Sequence, residues 1–248
     1  MSEISSLAER TDAVADGVRL ESVTKIYGRG SGAVTALSEL SLELGSGSFT
    51  AMMGPSGSGK STFLQCAAGL DRPTSGSIFL GDVDLSSLGE DALSRLRRET
   101  VGFVFQSFNL VPSLTAAQNI TLPLRLSKRK PDEEWLAEVI ERVGLSKRIK
   151  HKPGELSGGQ QQRVAIARAL VTHPRVIFAD EPTGALDTRT SKDILRLLRE
   201  VVDGLEQTVV MVTHDPIAAS YADTVVSLPT ARSLTRWLRP RPSVSPSA

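Results

Sequence analysis

The stretch GPSGSGKST at residues 54–62 follows directly on the apolar run FTAMM. Its glycines, Gly54, Gly57 and Gly59, carry no Cβ, so backbone N–H groups can turn inward around phosphate oxygens without obstruction. Lys60 has the reach and charge for the outer phosphates. Ser61, on the first turn of the helix that follows, offers a hydroxyl to Mg²⁺. The spacing of Gly54, Gly59, Lys60 and Ser61 fits a phosphate-binding loop, with Pro55, Ser56, Ser58 and Thr62 completing its wall. A second pair stands at the end of an apolar strand, in VIFADE at 176–181. Asp180 suits a water-mediated hold on the metal, and Glu181 suits polarising an attacking water as general base. An acidic pair at a strand end is mostly a solvated turn when it stands alone. Beside a phosphate loop it supplies the remaining part for hydrolysis.

A third element is LSGGQQQRVAIARAL at 156–170, where Ser157, Gly158 and Gly159 immediately precede a helix. Read blandly this is a capped helix start, but the helix dipole and free N–H groups also make it an anion site. Two phosphate sites around one nucleotide are redundant in one chain. Across a symmetric dimer they face each other. His214 follows the apolar strand QTVVMVT at 207–213, at the carboxyl end where ligands of open α/β sheets bind. His151 and His173 lack such context and read as structural.

These groups need a scaffold, and the hydrophobic pattern describes one. Short β-type runs at 18–23, 37–44 and 48–53 are separated by glycine-rich connections. A helix is expected over 61–70, then a turn cluster and a strand over 77–85. Charged helices at 90–99 and 131–144 enclose one strand-like piece, 101–106. A helix at 160–171, a strand at 175–180, a helix at 189–202 and a strand at 207–213 complete the pattern. Strands that are apolar on both faces and alternate with helices indicate a parallel sheet covered on two sides.

Composition bounds the rest. The chain has 248 residues, 40% of them hydrophobic, and a net charge of +1. That suits one sizeable core with a smaller subdomain, and gives no global electrostatic pull towards nucleic acid. The single cysteine, Cys66, excludes an internal disulfide and a cysteine-based metal cluster. No stretch reaches the roughly 18 apolar residues of a membrane span, and the first residues lack the build of a secretory signal. The expectation is a cytosolic protein that meets a membrane only through a partner.

In order and approximate spacing, the loop at 54–62, LSGGQ at 156–160, VIFADEPTGALD at 176–187 and THD at 213–215 resemble the ATP-binding subunits of ABC transporters, over about residues 18–226. The resemblance implies a P-loop NTPase (RecA-like) α/β fold with a mostly parallel core and an antiparallel β subdomain. An α-helical subdomain is inserted at about 90–160, within an ATPase domain at 18–228. It implies a Mg²⁺-dependent ATPase that closes on ATP as a head-to-tail homodimer, or with a paralogous ATPase subunit. Its partner would be an integral membrane permease at the inner face of the cell membrane, and no nucleic acid. By the same resemblance Tyr27 stacks on adenine, the alternative being a partly buried strand tyrosine. Gln106 touches Mg²⁺ and links the core to the helical subdomain. Ser157, Gly158, Gly159 and Gln160 close over the partner's nucleotide, Asp187 communicates across the dimer, and His214 contacts the γ-phosphate. Segments 70–76, 104–120 and 181–187 are similar to the lipoprotein-release, macrolide-export and cell-division branch. A non-transport mechanical ATPase of the cell-division type is the alternative function.

After residue 228, members of this family continue with an Asp-Gly-Arg-type hairpin and a further strand. This chain gives PTARSLTRWLRPRPSVSPSA at 229–248, without an acidic residue. Its proline and serine content reads as a disordered tail. Arg232, Arg236, Arg239 and Arg241 with Trp237 would alternatively favour an anionic membrane surface. A frame-shifted gene end is a third reading, decided by the nucleotide sequence. Residues 1–17 read as a loose end.

Overall fold

The computed structural model describes residues 17–228 and 235–238. The loose start therefore lies, but for Gly17, outside the described residues. Two sheets organise the chain. The antiparallel sheet has the order β2-β1-β4-β5, built from β1 (Val18–Tyr27), β2 (Val34–Leu44), β4 (Ser75–Leu80) and β5 (Val83–Asp84). The larger sheet has the order β10-β9-β3-β8-β7-β6, built from β3 (Phe49–Met53), β6 (Val101–Phe105), β7 (Val176–Asp180), β8 (Thr208–Val212), β9 (Thr224–Ser227) and β10 (Thr235–Leu238). From β9 to β6 all its pairings are parallel.

Parallel strands need crossovers, and these are helical. They include α1 (Lys60–Ala67), α2 (Glu90–Thr100), α6 (Gly158–Leu170), α7 (Thr188–Leu205) and α8 (Pro216–Ala219). Between β6 and α6 the chain inserts α3 (Ala116–Ile120), α4 (Leu122–Leu126) and α5 (Glu133–Arg142). Alternation along the strands divides the core in two. Ala51, Val209 and Met211 face one apolar cluster with α6, α7 and the inserted helices. Met52, Val210 and Val212 face a second, where α1 is packed between the large sheet and the antiparallel one. Helix α7 docks through Ile194, Leu195, Leu198, Val201 and Val202, spaced three and four apart on one face.

The inserted helices carry their own local signals. Thr115 and Gln118 form a capping box at α3, and Asp132 caps α5. Fully buried Asn119 donates from Nδ2 to the carbonyls of Val111, Leu114 and Thr115 and accepts from the Val111 N–H, which folds the loop ahead of α3 around one side chain.

Two details differ from the expected pattern. The strand expected over 77–85 is a hairpin, because Gly81 takes φ +58° and turns the chain with Asp82 between β4 and β5. In the tail, read as disordered, β10 pairs antiparallel with β9, with Thr235 opposite Ser227. A parallel strand left at the sheet's margin exposes unpaired backbone groups, and this pairing covers them. Arg232, Arg239 and Arg241 lie outside the described residues.

Candidate active site

The loop at 54–62 runs from the end of β3 to the start of α1, so the strand fixes one end and the helix the other. Gly57 and Gly59 both adopt left-handed φ values, +79° and +88°. Successive turns of this kind leave backbone N–H groups on one concave side, a ready anion cradle. Gly59 is doubly constrained, since a Cβ there would overlap the Ala36 carbonyl oxygen of β2. At Gly54 a Cβ would lie 2.5 Å from Ser58 Oγ and 2.6 Å from the Leu228 carbonyl oxygen, so the loop is seated against the end of β9. Lys60 is buried and donates to the Gly54 and Pro55 carbonyls, each at 2.8 Å. An ammonium has three donors, so one is left for a phosphate. Buried Ser58 Oγ has no hydrogen-bond partner. An orphaned hydroxyl, a partly committed ammonium and a Cβ-free cradle fit a polyphosphate.

The acidic pair stands at the end of β7. Burial pushes the Asp180 carboxyl above its ordinary range, the Glu181 charge adds to this, and Lys60 opposes it. A cation supplied with the nucleotide would relieve that strain. Among the described residues no cluster of three His, Cys, Asp or Glu side chains exists to hold a metal alone. Mg²⁺ bound through phosphates needs only one or two carboxylates and an oxygen or two besides. Asp180 and the exposed hydroxyl of Ser61 suit that role.

Glu181 takes φ +44°, rare for a residue with a Cβ, and its N–H is held by the Val212 carbonyl at 2.9 Å. Its Oε1 meets His214 Nδ1 at 2.8 Å, bringing the ends of β7 and β8 together. A carboxylate only accepts, so Nδ1 carries the proton and Nε2 faces elsewhere. His214 also shares a surface depression with Gly54 and Pro55, which puts the imidazole beside the cradle.

The remaining predicted residues divide into two groups. Gln106, just past β6, lies over Gly184, where a Cβ would come within 2.6 Å of its Nε2. Tyr27, at the end of β1, donates to Asp71 at 2.9 Å and lies near Thr62, which brings its ring to the margin of α1. Lys25 binds the same carboxylate at 2.7 Å and stands 4.9 Å from the Tyr27 ring. Asp71, inside the turn cluster at 71–76, was missed by sequence reasoning; an acidic residue in such a turn carries no signal that a distant tyrosine needs it. Ser157 caps α6 in a reciprocal capping box with Gln160. The closest atoms to Cβ positions at Gly158 and Gly159 belong to Leu186, Phe108 and Thr190, not to the loop at 54–62. Asp187 caps α7 through the N–H groups of Arg189 and Thr190. Ser157, Gly158, Gly159 and Asp187 thus gather around the start of α7, apart from the cradle.

Sheet, cradle and strand-end carboxylates together define a P-loop NTPase. A family model described as ABC transporter matches residues 37–184. YvrO, an ABC transporter ATP-binding protein of Bacillus subtilis, is 49% identical over 210 residues, which are 84% of this chain and 91% of its own. MacB of Hyphomonas neptunium, a macrolide export ATP-binding/permease protein, is 46% identical over 216 residues, 85% of this chain but 33% of its own length. The dimeric ATP-binding cassette MJ0796 in a post-hydrolysis state with ADP and Pi has a TM-score of 0.78 and 41% identity, covering 88% of this chain and 98% of that one. The chain belongs to the ABC transporter family as an ATP-binding subunit that hydrolyses ATP. MacB among the relatives accords with the branch that the sequence resembles. Among the described residues no helix is long and apolar enough to cross a membrane.

Proposed function

We propose that this chain powers a separate membrane permease through ATP-driven closure of a head-to-tail dimer. The carrying observation is the separation of two phosphate-binding elements. Gly158 and Gly159 have their neighbours at the start of α7, while the cradle at 54–62 lies between β3 and α1. A second copy, or a paralogous subunit, would bring its Ser157, Gly158, Gly159 and Gln160 over the nucleotide held here. The dimeric cassette MJ0796 supports this reading by similarity.

Within one closed site each residue has a stated task. Lys60 and the loop N–H groups stabilise charge on the transferring phosphoryl. Glu181, oriented by His214 Nδ1, accepts a proton from the attacking water, and the imidazole donates to the γ-phosphate from its other nitrogen when that nitrogen is protonated as well. Tyr27 stacks on adenine, and Asp187 reports across the dimer. Ser61, Asp180 and Gln106 would hold Mg²⁺, which neutralises oxygen charge on the leaving phosphates when bound.

A groove of about 330 Å³ between the core and the inserted helices supports a membrane partner. It is lined by Leu70, Phe103, Phe105, Leu122 and Leu126, with Arg98 at its side. An apolar helix end of a permease fits such a surface, and closure would move it through the Gln106 segment. In MacB the ATP-binding and permease functions are named in one protein, of which this chain matches a third.

The test is Glu181→Gln. It should bind ATP, lose about 10²–10⁴-fold in turnover, and accumulate as a dimer in size-exclusion chromatography with light scattering. Full turnover would remove Glu181 from the mechanism. For the partner, the same variant serves as bait in ATP on detergent-solubilised membranes. Recovery of division proteins without a permease would favour the mechanical alternative.

A further inference from the structure

Gln162 is a buried polar side chain that the mechanism above leaves unused. It sits on α6, is 0% exposed, and donates from Nε2 to the Pro182 carbonyl at 2.6 Å and the Phe105 carbonyl at 3.4 Å. Two carbonyls facing one end of the amide require nitrogen there. Its Oε1 is buried without a partner, so these two bonds are all that hold the group.

The two acceptors are telling. The β6–β7 ladder ends at the pair Phe105 and Asp180. Beyond it the strands diverge, one into Gln106 and the other into Glu181 and Pro182. Gln162 bridges the carbonyls where backbone pairing stops. The same helix grips the Gln106 turn again further on. Arg168 donates to the carbonyls of Phe108 at 2.9 Å and Asn109 at 2.6 Å, residues at φ +60° and +50°. Left-handed non-glycine residues persist only where their surroundings hold them. Glu181, at φ +44°, directly precedes the Pro182 carbonyl that Gln162 holds.

We infer that Gln162 is a positioning residue for ATP hydrolysis: from the helix that begins at Ser157, Gly158 and Gly159 it fixes the Gln106 and Glu181 turns relative to one another. Engagement of that helix by a partner's nucleotide is thereby felt at the carboxylate that handles water. This rests on the role of Glu181 proposed above.

Gln162→Leu keeps the volume and removes the bridge. ATP affinity, set at the cradle, should stay within about threefold, while kcat falls on the order of 10–100-fold, the size expected of a small misplacement. Gln162→Glu adds a readout that packing alone would not give. A buried carboxyl facing two carbonyls must be protonated to donate, and burial favours the protonated form. Its kcat relative to wild type should therefore fall as pH rises from about 6 to 9, with melting temperatures measured alongside to confirm a folded chain. The pH comparison uses one folded variant, so it decides the matter even if Gln162→Leu fails to fold. Wild-type kcat in Gln162→Leu, or a ratio in Gln162→Glu that is already low at pH 6 and does not change up to pH 9, with Glu181→Gln inactive, would overturn the inference and leave the site reading standing. A fully active Glu181→Gln would instead remove the reading on which it rests.

Discussion

Substituting Gly159 by alanine separates two roles that one glycine combines. A Cβ there would overlap Thr190 Cγ2 at the start of α7. Thr190 cannot swing away freely, because its hydroxyl donates to Asp187 Oδ2 at 2.5 Å. Alanine's better helix propensity returns about 0.5–1 kcal/mol, against roughly 1–3 kcal/mol for overpacking a fitted contact. The overlap wins, and at ~2–4 °C per kcal/mol for a domain of this size the melting temperature should fall by several degrees. Adding Thr190→Ser keeps the hydroxyl and deletes the offending methyl, so the double variant should melt near the wild type. If Gly159 also lies against a partner's phosphate, ATPase activity should stay down by about 10²-fold in the double variant, the scale of one lost transition-state contact. Thermal melts and steady-state phosphate release read the two effects separately. Full recovery of activity with Thr190→Ser would refute the phosphate contact. An unchanged melting temperature in the single variant would refute the packing.

Other perturbations give equally definite outcomes. Burial pushes the Cys66 thiol up to about 11, from 9.0, which cuts the thiolate fraction at pH 8 about 100-fold. Ellman's reagent should label the single thiol slowly in buffer and fast in denaturant; rapid labelling of the native chain would contradict the burial. Because the Asp180 pKa is raised in the folded state, its contribution favours folding below the ordinary value of 3.8 and is lost as pH rises through the folded pKa. Asp180→Asn should therefore raise the melting temperature at pH 7, with the gain shrinking towards pH 4, while turnover falls. Gly184→Ala would press on Gln106 Nε2, and should lower kcat more than ATP affinity, as measured by turnover and nucleotide titration. Equal loss in both would place Gln106 in ground-state binding.

The parts that sequence made legible are those governed by local physics. Apolar strands such as TVVMV, buried at every position in β8, announce a sheet covered on both faces. GPSGSGKST announces its chemistry because glycine takes the left-handed conformations at Gly57 and Gly59 without strain. The hairpin at Gly81 was hidden inside a run that alternates well enough to read as one strand. Gln162 was invisible for a different reason. In a run of three glutamines, 160–162, nothing local tells which one turns inward, and its acceptors lie 20 and 57 residues away. The left-handed Glu181 is likewise imposed by the Val212 carbonyl of the neighbouring strand and not by its own preferences.

The two apolar clusters share one wall, the large sheet, and this has a consequence for how the molecule opens. Opening β3, β7 or β8 exposes both clusters at once, whereas the antiparallel sheet or the inserted helices can loosen by exposing one. Amide hydrogens of those three strands should be the last to exchange, and those of 106–157 should exchange earlier. The cradle and Glu181 are rooted in the slow strands, while Gln106 begins the faster segment. Breathing of the inserted helices can therefore proceed many times over without the phosphate-binding strands losing their register.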